Sequence, residues 1–302
     1  MSLPPEENPL IKILSRDPAK GGVLTLIQGK PGSGKTSLLL YLISKKIYDT
    51  SKKLYEHDIL IWRGMYSCEF QRYPDQSKII IHFLEHDFQN TKFYDKRTEK
   101  EIDIEDQYKV KIARDIINLY YNLKRSKGNV NVLYLYRSDW YDFFEYIVYI
   151  RPDMEWISLF FDEFRDIAPP YPNKIEFEYL LRLEPIIREI RKMRISLYVG
   201  VHMNTDIYYL IKEKFQYWIY LAGAKRPKYT EVYQKAINSL KPGQAIVDDF
   251  NRYVWLEFPQ IGYETQLKMV NLEWVKRMKN EIHRAAKIEI AQTKQKTKKI
   301  YS

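Results

Sequence analysis

Short, nearly unbroken apolar runs recur along the chain, at residues 23–27, 58–62, 78–83, 130–136, 156–161, 195–201 and 217–222. A strand buried on both faces reads as a continuous apolar run, whereas a strand with one wet face alternates. The pattern therefore predicts a mostly parallel central sheet. Between the runs apolar residues return at helical spacing, which predicts flanking helices over 36–47, 110–123, 140–150, 175–192 and 210–215. Residues 244–256 alternate instead, after a Lys241-Pro242-Gly243 turn and around the polar stretch 248–251, which predicts a C-terminal hairpin. The fold class is α/β. Residues 1–20 are proline-rich and polar, with one apolar patch at 10–14 that could lie against the domain edge, and read as an N-terminal arm. Residues 21–262 read as the domain, with the charged, turn-rich segment 87–109 as an exposed insertion or poorly ordered loop. Residues 263–302 read as a basic helical tail.

One junction in this pattern carries chemistry. The run Val23-Leu24-Thr25-Leu26-Ile27 leads directly into Gly29-Lys30-Pro31-Gly32-Ser33-Gly34-Lys35-Thr36-Ser37, and a helix follows. Strand, G-x-x-x-x-G-K-[ST] and helix together make a phosphate loop. Its glycines let successive backbone N–H groups converge on one phosphate at the positive end of the helix. Lys35 would reach the β/γ-phosphates of ATP, and the Thr36 hydroxyl would take a place on Mg²⁺. Five of the chain's 11 glycines (21, 22, 29, 32 and 34) fall in this corner, which argues against an ordinary helix cap.

Two other strand ends matter, because ligands of a parallel sheet sit at the carboxyl ends of its strands. The run Trp156-Ile157-Ser158-Leu159-Phe160-Phe161 ends in Asp162-Glu163. One carboxylate can hold Mg²⁺ and its neighbour can orient or deprotonate the attacking water. The run 195–201 ends in His202-Met203-Asn204-Thr205-Asp206, a tip from which a polar side chain could touch a γ-phosphate.

Composition narrows the remaining choices. With one cysteine, Cys68, neither an intramolecular disulfide nor a cysteine-based zinc site can form, and a reducing compartment such as the cytoplasm, a host's for a viral protein, is expected. His82 and His86 would stand more than about 10 Å apart along one strand, which predicts no metal between them. No apolar stretch has the length of a membrane span, and the N-terminus shows no basic segment followed by an apolar one, so a soluble, unprocessed chain is expected. A net charge of +10 suggests a polyanionic partner, and lysines and arginines crowd the region past residue 272.

The order of these parts over residues 22–260 resembles the additional-strand, catalytic-glutamate branch of P-loop ATPases and, within it, the FtsK/HerA group of DNA-pumping motors. The resemblance is carried by Asp162-Glu163, by the polar tip at His202 where the group often has Gln, and by the closing Leu240-Lys241-Pro242-Gly243-Gln244-Ala245 turn. It implies a homo-oligomeric ring, usually a hexamer, with ATP between subunits and an arginine supplied by the neighbour. Arg165 and Arg226 are the candidates for that arginine. It further implies Mg-dependent ATP hydrolysis, with Asp162 on the metal, Glu163 activating water, and His202 or Asn204 sensing the γ-phosphate. Such motors grip double-stranded DNA by its backbone, in genome packaging or plasmid transfer, with a capsid or transfer-apparatus protein as partner. The alternatives are an assembly or morphogenesis switch that never touches DNA, and an AAA+ replication ATPase, which the absence of a helical lid after the last strand disfavours.

Overall fold

The structure is a computed structural model that describes residues 9–14, 21–48, 57–203, 205–227, 230–261 and 264–300. In chain order its elements are α1 (Pro9–Leu14), β1 (Leu24–Gln28), α2 (Lys35–Ile47), β2 (Ile59–Arg63), β3 (Ile79–Leu84), α3 (Glu85–Phe88), β4 (Thr91–Asp95), β5 (Glu101–Ile102), β6 (Lys109–Ala113), α4 (Ile116–Lys124), β7 (Val130–Tyr134) and α5 (Arg137–Glu145). They continue with β8 (Ile157–Phe161), α6 (Lys174–Glu189), β9 (Ile195–Val201), α7 (Tyr209–Lys212), β10 (Tyr217–Tyr220), α8 (Gln234–Asn238), β11 (Gln244–Asp248), β12 (Tyr253–Glu257), β13 (Leu267–Asn271) and α9 (Leu272–Ile300).

Ten strands form one sheet in the order β12-β11-β10-β1-β9-β8-β2-β7-β3-β6. All neighbours from β10 to β6 are parallel, and β11 and β12 add the expected antiparallel hairpin at one edge. The unbroken apolar runs are explained by burial on both faces. Ile157, Leu159 and Phe161 of β8 enter one core cluster with α4, α5 and α6, while Phe160 enters the other with α2. The two clusters are the two helix layers of an α/β/α sandwich.

Two features of this frame place the phosphate loop. β9 lies between β1 and β8, so the strand that feeds the loop and the strand that ends in the acidic pair are separated by one inserted strand. At the far end of α2 the buried Lys46 ammonium meets Asp58 Oδ2 at 3.0 Å, and the Ser158 hydroxyl donates to the same oxygen at 2.6 Å. That pair ties the end of α2 to β2 and β8 from beneath.

Several expectations need correction. Residues 110–113 are strand β6, paired in parallel with β3, and the helix begins only at Ile116, where the Asp115 carboxylate accepts from Asn118 N–H. Helical spacing misread them because an edge strand with one exposed face also leaves gaps in an apolar pattern. The segment 87–109 is ordered: β4 and β5 form a small antiparallel sheet with β13. Its anchors, Phe93, Leu267 and Met269, join the α2-side core. Residues 263–302 are accordingly not all helix, since β13 precedes α9. Within 1–20, the described stretch α1 buries Ile13, whose carbonyl accepts from Tyr198 Oη at 2.7 Å, and Lys12 bonds Asp249 at 2.7 Å. The remainder of that arm lies outside the described residues.

Removing one member of the Lys46–Asp58 pair strands the other charge in the interior. Asp58→Ala should lower unfolding stability by about 3–5 kcal/mol in urea titrations, and replacing both residues by apolar ones should cost much less. Equal losses in the two variants would contradict a buried-charge explanation.

Candidate active site

The phosphate loop folds as its sequence demands. Gly34, at φ 97°, is the N-cap of α2, and no side chain caps the helix. The first turn of α2 holds Lys35 and no acid. A cation at the positive end of a helix is unfavourable unless an anion sits there too. Ser33 is buried and its Oγ has no hydrogen-bond partner among the described residues. Uncapped amides, a lysine in the wrong half of a helix dipole and an orphaned hydroxyl are together what a phosphate would satisfy.

Lys35 is buried, and its Nζ donates to Gly29 O at 2.9 Å and Lys30 O at 3.3 Å. Burial lowers its pKa, against the pull of Asp162 and Glu163. Nζ also stands 3.0 Å from His202 Nδ1. An ammonium only donates, so Nδ1 accepts and the imidazole proton sits on Nε2. That nitrogen lies 3.8 Å from Glu163 Oε1. Lysine, imidazole and glutamate thus form a line from the phosphate loop across the tip of β9 to the end of β8.

The acidic pair divides as two different environments require. Asp162 Oδ2 accepts from Thr36 Oγ1 at 2.6 Å. Burial pushes the Asp162 carboxyl up to about 6, with Thr36 and Lys35 pulling the other way. A desolvated carboxylate touching the loop hydroxyl is a fitting donor pair for a divalent cation, which would relieve the burial cost. Glu163 is exposed and its side chain opens onto the cleft. β9 can approach this closely because position 200 is glycine: a Cβ there would lie 2.4 Å from the Asp162 carbonyl oxygen.

The surrounding cleft has a volume of about 530 Å³, and its walls include residues the sequence reading did not single out. Glu69 and Arg72, ion-paired at 2.6 Å, line one side. Gln260 and Ile261 line another, and Ile261 N donates to Ser37 Oγ at 3.2 Å, so the chain beyond β12 straps the loop. Arg63 works from behind the acids. Its Nη1 donates to Glu163 O at 2.8 Å and to Asp166 Oδ1 at 2.6 Å, while Nη2 bonds Asp166 Oδ2. Burial would raise the Asp166 pKa, but the Arg63 guanidinium holds it below its ordinary value. Arg63 carried a legible signal: like Asp162, it is a charged residue closing an apolar strand at the carboxyl edge.

Of the predicted loop residues, Lys30, Pro31 and Gly32 are exposed at the loop crest, while Gly29, Ser33 and Ser37 are buried beneath it. Arg165 is exposed two residues past Glu163. The Arg226 guanidinium instead turns back on its own loop, 3.4 Å from Thr230 O and 3.5 Å from Val232 O. Asn204 lies outside the described residues.

No protein-family model matches the sequence, and no curated protein does. Among solved structures, the bacterial conjugative coupling protein TrwBΔN70 in its unbound form superposes with a TM-score of 0.50 at 12% identity, over 87% of this chain and 93% of that one. VirB4 of Thermoanaerobacter pseudethanolicus gives 0.49 at 13% identity, over 84% and 94%. The genome packaging NTPase B204 from Sulfolobus turreted icosahedral virus 2, in complex with ATPγS, gives 0.40 at 10% identity, over 82% and 100%. The TrwBΔN70 superposition shows that the chain shares the fold of that coupling protein, a mostly parallel sheet between helices, here with β9 between β1 and β8.

Proposed function

We propose that the protein hydrolyses ATP and couples hydrolysis to movement of double-stranded DNA. The observation that carries the first half is the convergence of Lys35, the Thr36–Asp162 pair and Glu163 on one cleft at the carboxyl edge of the sheet. In this reading the loop amides and Lys35 hold the β- and γ-phosphates, and Lys35 exchanges its carbonyl partners for phosphate oxygens. Thr36 and Asp162 would hold Mg²⁺, which would supply positive charge against the triphosphate. Glu163 takes the proton of the attacking water, and its backbone is kept in place by Arg63. His202, with Nε2–H directed toward Glu163 and Nδ1 toward Lys35, is placed to register whether the γ-phosphate is present.

The second half rests on charge and on the shared fold. The exposed face of α9 carries Lys276, Lys279, Arg284 and Lys287, and four more lysines follow by residue 299. A phosphate backbone is a natural partner for such a face. TrwB, whose fold this chain shares, is a conjugative coupling protein. A homo-oligomeric ring would let Arg165 reach a neighbour's γ-phosphate, since it is exposed while Arg226 is engaged in its own loop. Packaging and DNA transfer are the settings this reading favours.

Four outcomes test it. Lys35→Ala should abolish ATP turnover. Glu163→Gln should still bind Mg-ATP but hydrolyse it at least about a hundredfold more slowly, and normal turnover would remove Glu163 from its role. Protons compete with metal for Asp162, so the Mg²⁺ needed for half-maximal ATPase should be flat at neutral pH and rise about tenfold per pH unit below the carboxyl's value near 6. A flat profile down to pH 5 would contradict an Asp162 that holds the cation with its carboxyl raised to about 6. Finally, double-stranded DNA should stimulate the ATPase with steep salt dependence; indifference to DNA would favour an assembly switch.

A further inference from the structure

A second cluster of ligand-type side chains lies apart from the residues of the nucleotide cleft. His82 takes no part in it: buried in β3, its Nε2 pairs with Asn131 Oδ1 at 2.9 Å. His86, in α3 just past the end of that strand, stands against two carboxylates, its neighbour Asp87 and Asp139 of α5. One ligand atom from each of the three lies within 4.8 Å of the others.

The spacing is informative. His86 Nε2 is 3.6 Å from Asp87 Oδ1 and 3.7 Å from Asp139 Oδ2. These separations are too long for hydrogen bonds. They are close to the edge of a tetrahedron around a small cation, about 3.3–3.4 Å when each ligand atom sits about 2.0–2.1 Å from the metal.

A second observation points the same way. Asp87 is fully buried, its Oδ1 accepts from Trp274 Nε1 at 2.7 Å, and its Oδ2 has no hydrogen-bond partner. Asp139 Oδ2 is likewise buried without one. Buried carboxylate oxygens without a hydrogen bond are costly, and a bound cation satisfies them. The facing positive group is Arg277 of α9, whose Nη1 ion-pairs with Asp139 Oδ2 at 3.6 Å, too far for a hydrogen bond. Its guanidinium also leans on Glu273 at 3.9 Å and over the Tyr136 ring at 5.5 Å. His86 is half exposed, which leaves an entry path and room for water as a further ligand.

We propose that His86, Asp87 and Asp139 form a binding site for a first-row divalent cation, Zn²⁺ by its donor set. One imidazole nitrogen with two carboxylate oxygens suits zinc, whereas Mg²⁺ and Ca²⁺ prefer oxygen alone. The bound ion would join α3 to α5 beneath Trp274 and displace Arg277 from Asp139, so that the cation and the guanidinium compete for one carboxylate.

Calorimetric titration of the tag-free full-length protein with ZnCl₂, in excess Mg²⁺, tests this. Wild type should bind one Zn²⁺ at this site. His86→Ala, at a half-exposed position, and Asp139→Asn should each weaken binding at least about tenfold. Arg277→Gln should bind Zn²⁺ more tightly than wild type, a gain that a merely structural role for the cluster would not produce. The proposal is overturned by absence of saturable Zn²⁺ binding, by equal affinity in wild type and His86→Ala, or by weaker binding in Arg277→Gln.

Discussion

The structure depends on keeping positive charge concentrated where a helix already begins positive. Gly34 leaves the α2 amides uncapped, Lys35 is buried beside them, and among the described residues relief comes from two loop carbonyls, from His202 Nδ1, and from Asp206 and the acids at the end of β8. Such an arrangement is costly by itself and persists because the rest of the fold over-determines it. The inserted strand β9 holds β1 and β8 at one strand's separation, and the Lys46–Asp58 pair fixes the opposite end of α2. Charge at the loop and packing beneath it are thus two ends of one constraint.

The acids are handled with equal care. Asp162 is desolvated against Thr36, and Glu163 one residue later faces water. Neighbouring carboxylates with different surroundings can divide metal binding from proton transfer. Their backbone is clamped on both sides, by the absence of a side chain at Gly200 and by the Arg63 fork that grips Glu163 O and Asp166. A catalytic carboxylate on a loop is only as accurate as the groups that hold the loop.

Much of this was legible in the sequence because it rests on local grammar. The loop glycines follow a strand end and Lys35 and Thr36 open the next helix, while the acidic pair and His202 stand at strand ends, where apolar residues give way to polar ones. The sheet strands were legible as unbroken apolar runs, and β9 was bounded at 195–201 as observed. What stayed hidden depends on distant partners. Residues 110–113 become a strand only because β3 offers an edge, and 91–102 are ordered only because 267–271 return to pair with them. Gln260 and Ile261 reach the phosphate loop from more than two hundred residues away, and no periodicity announces such a strap.

The strand order also sets a schedule for synthesis. Both neighbours of β1 in the sheet are late: β9 ends at Val201 and β10 at Tyr220, whereas β1 itself is complete by Gln28. As the nascent chain leaves the ribosome, the phosphate-loop strand must therefore wait, edges unpaired, until residues 195–220 have been made. Sticky edges of this sort invite mispairing, and pairings so remote in sequence form slowly. The cleft at the carboxyl edge of β1 takes its final shape only after those strands have paired, so a ligand held there cannot be an early guide to folding.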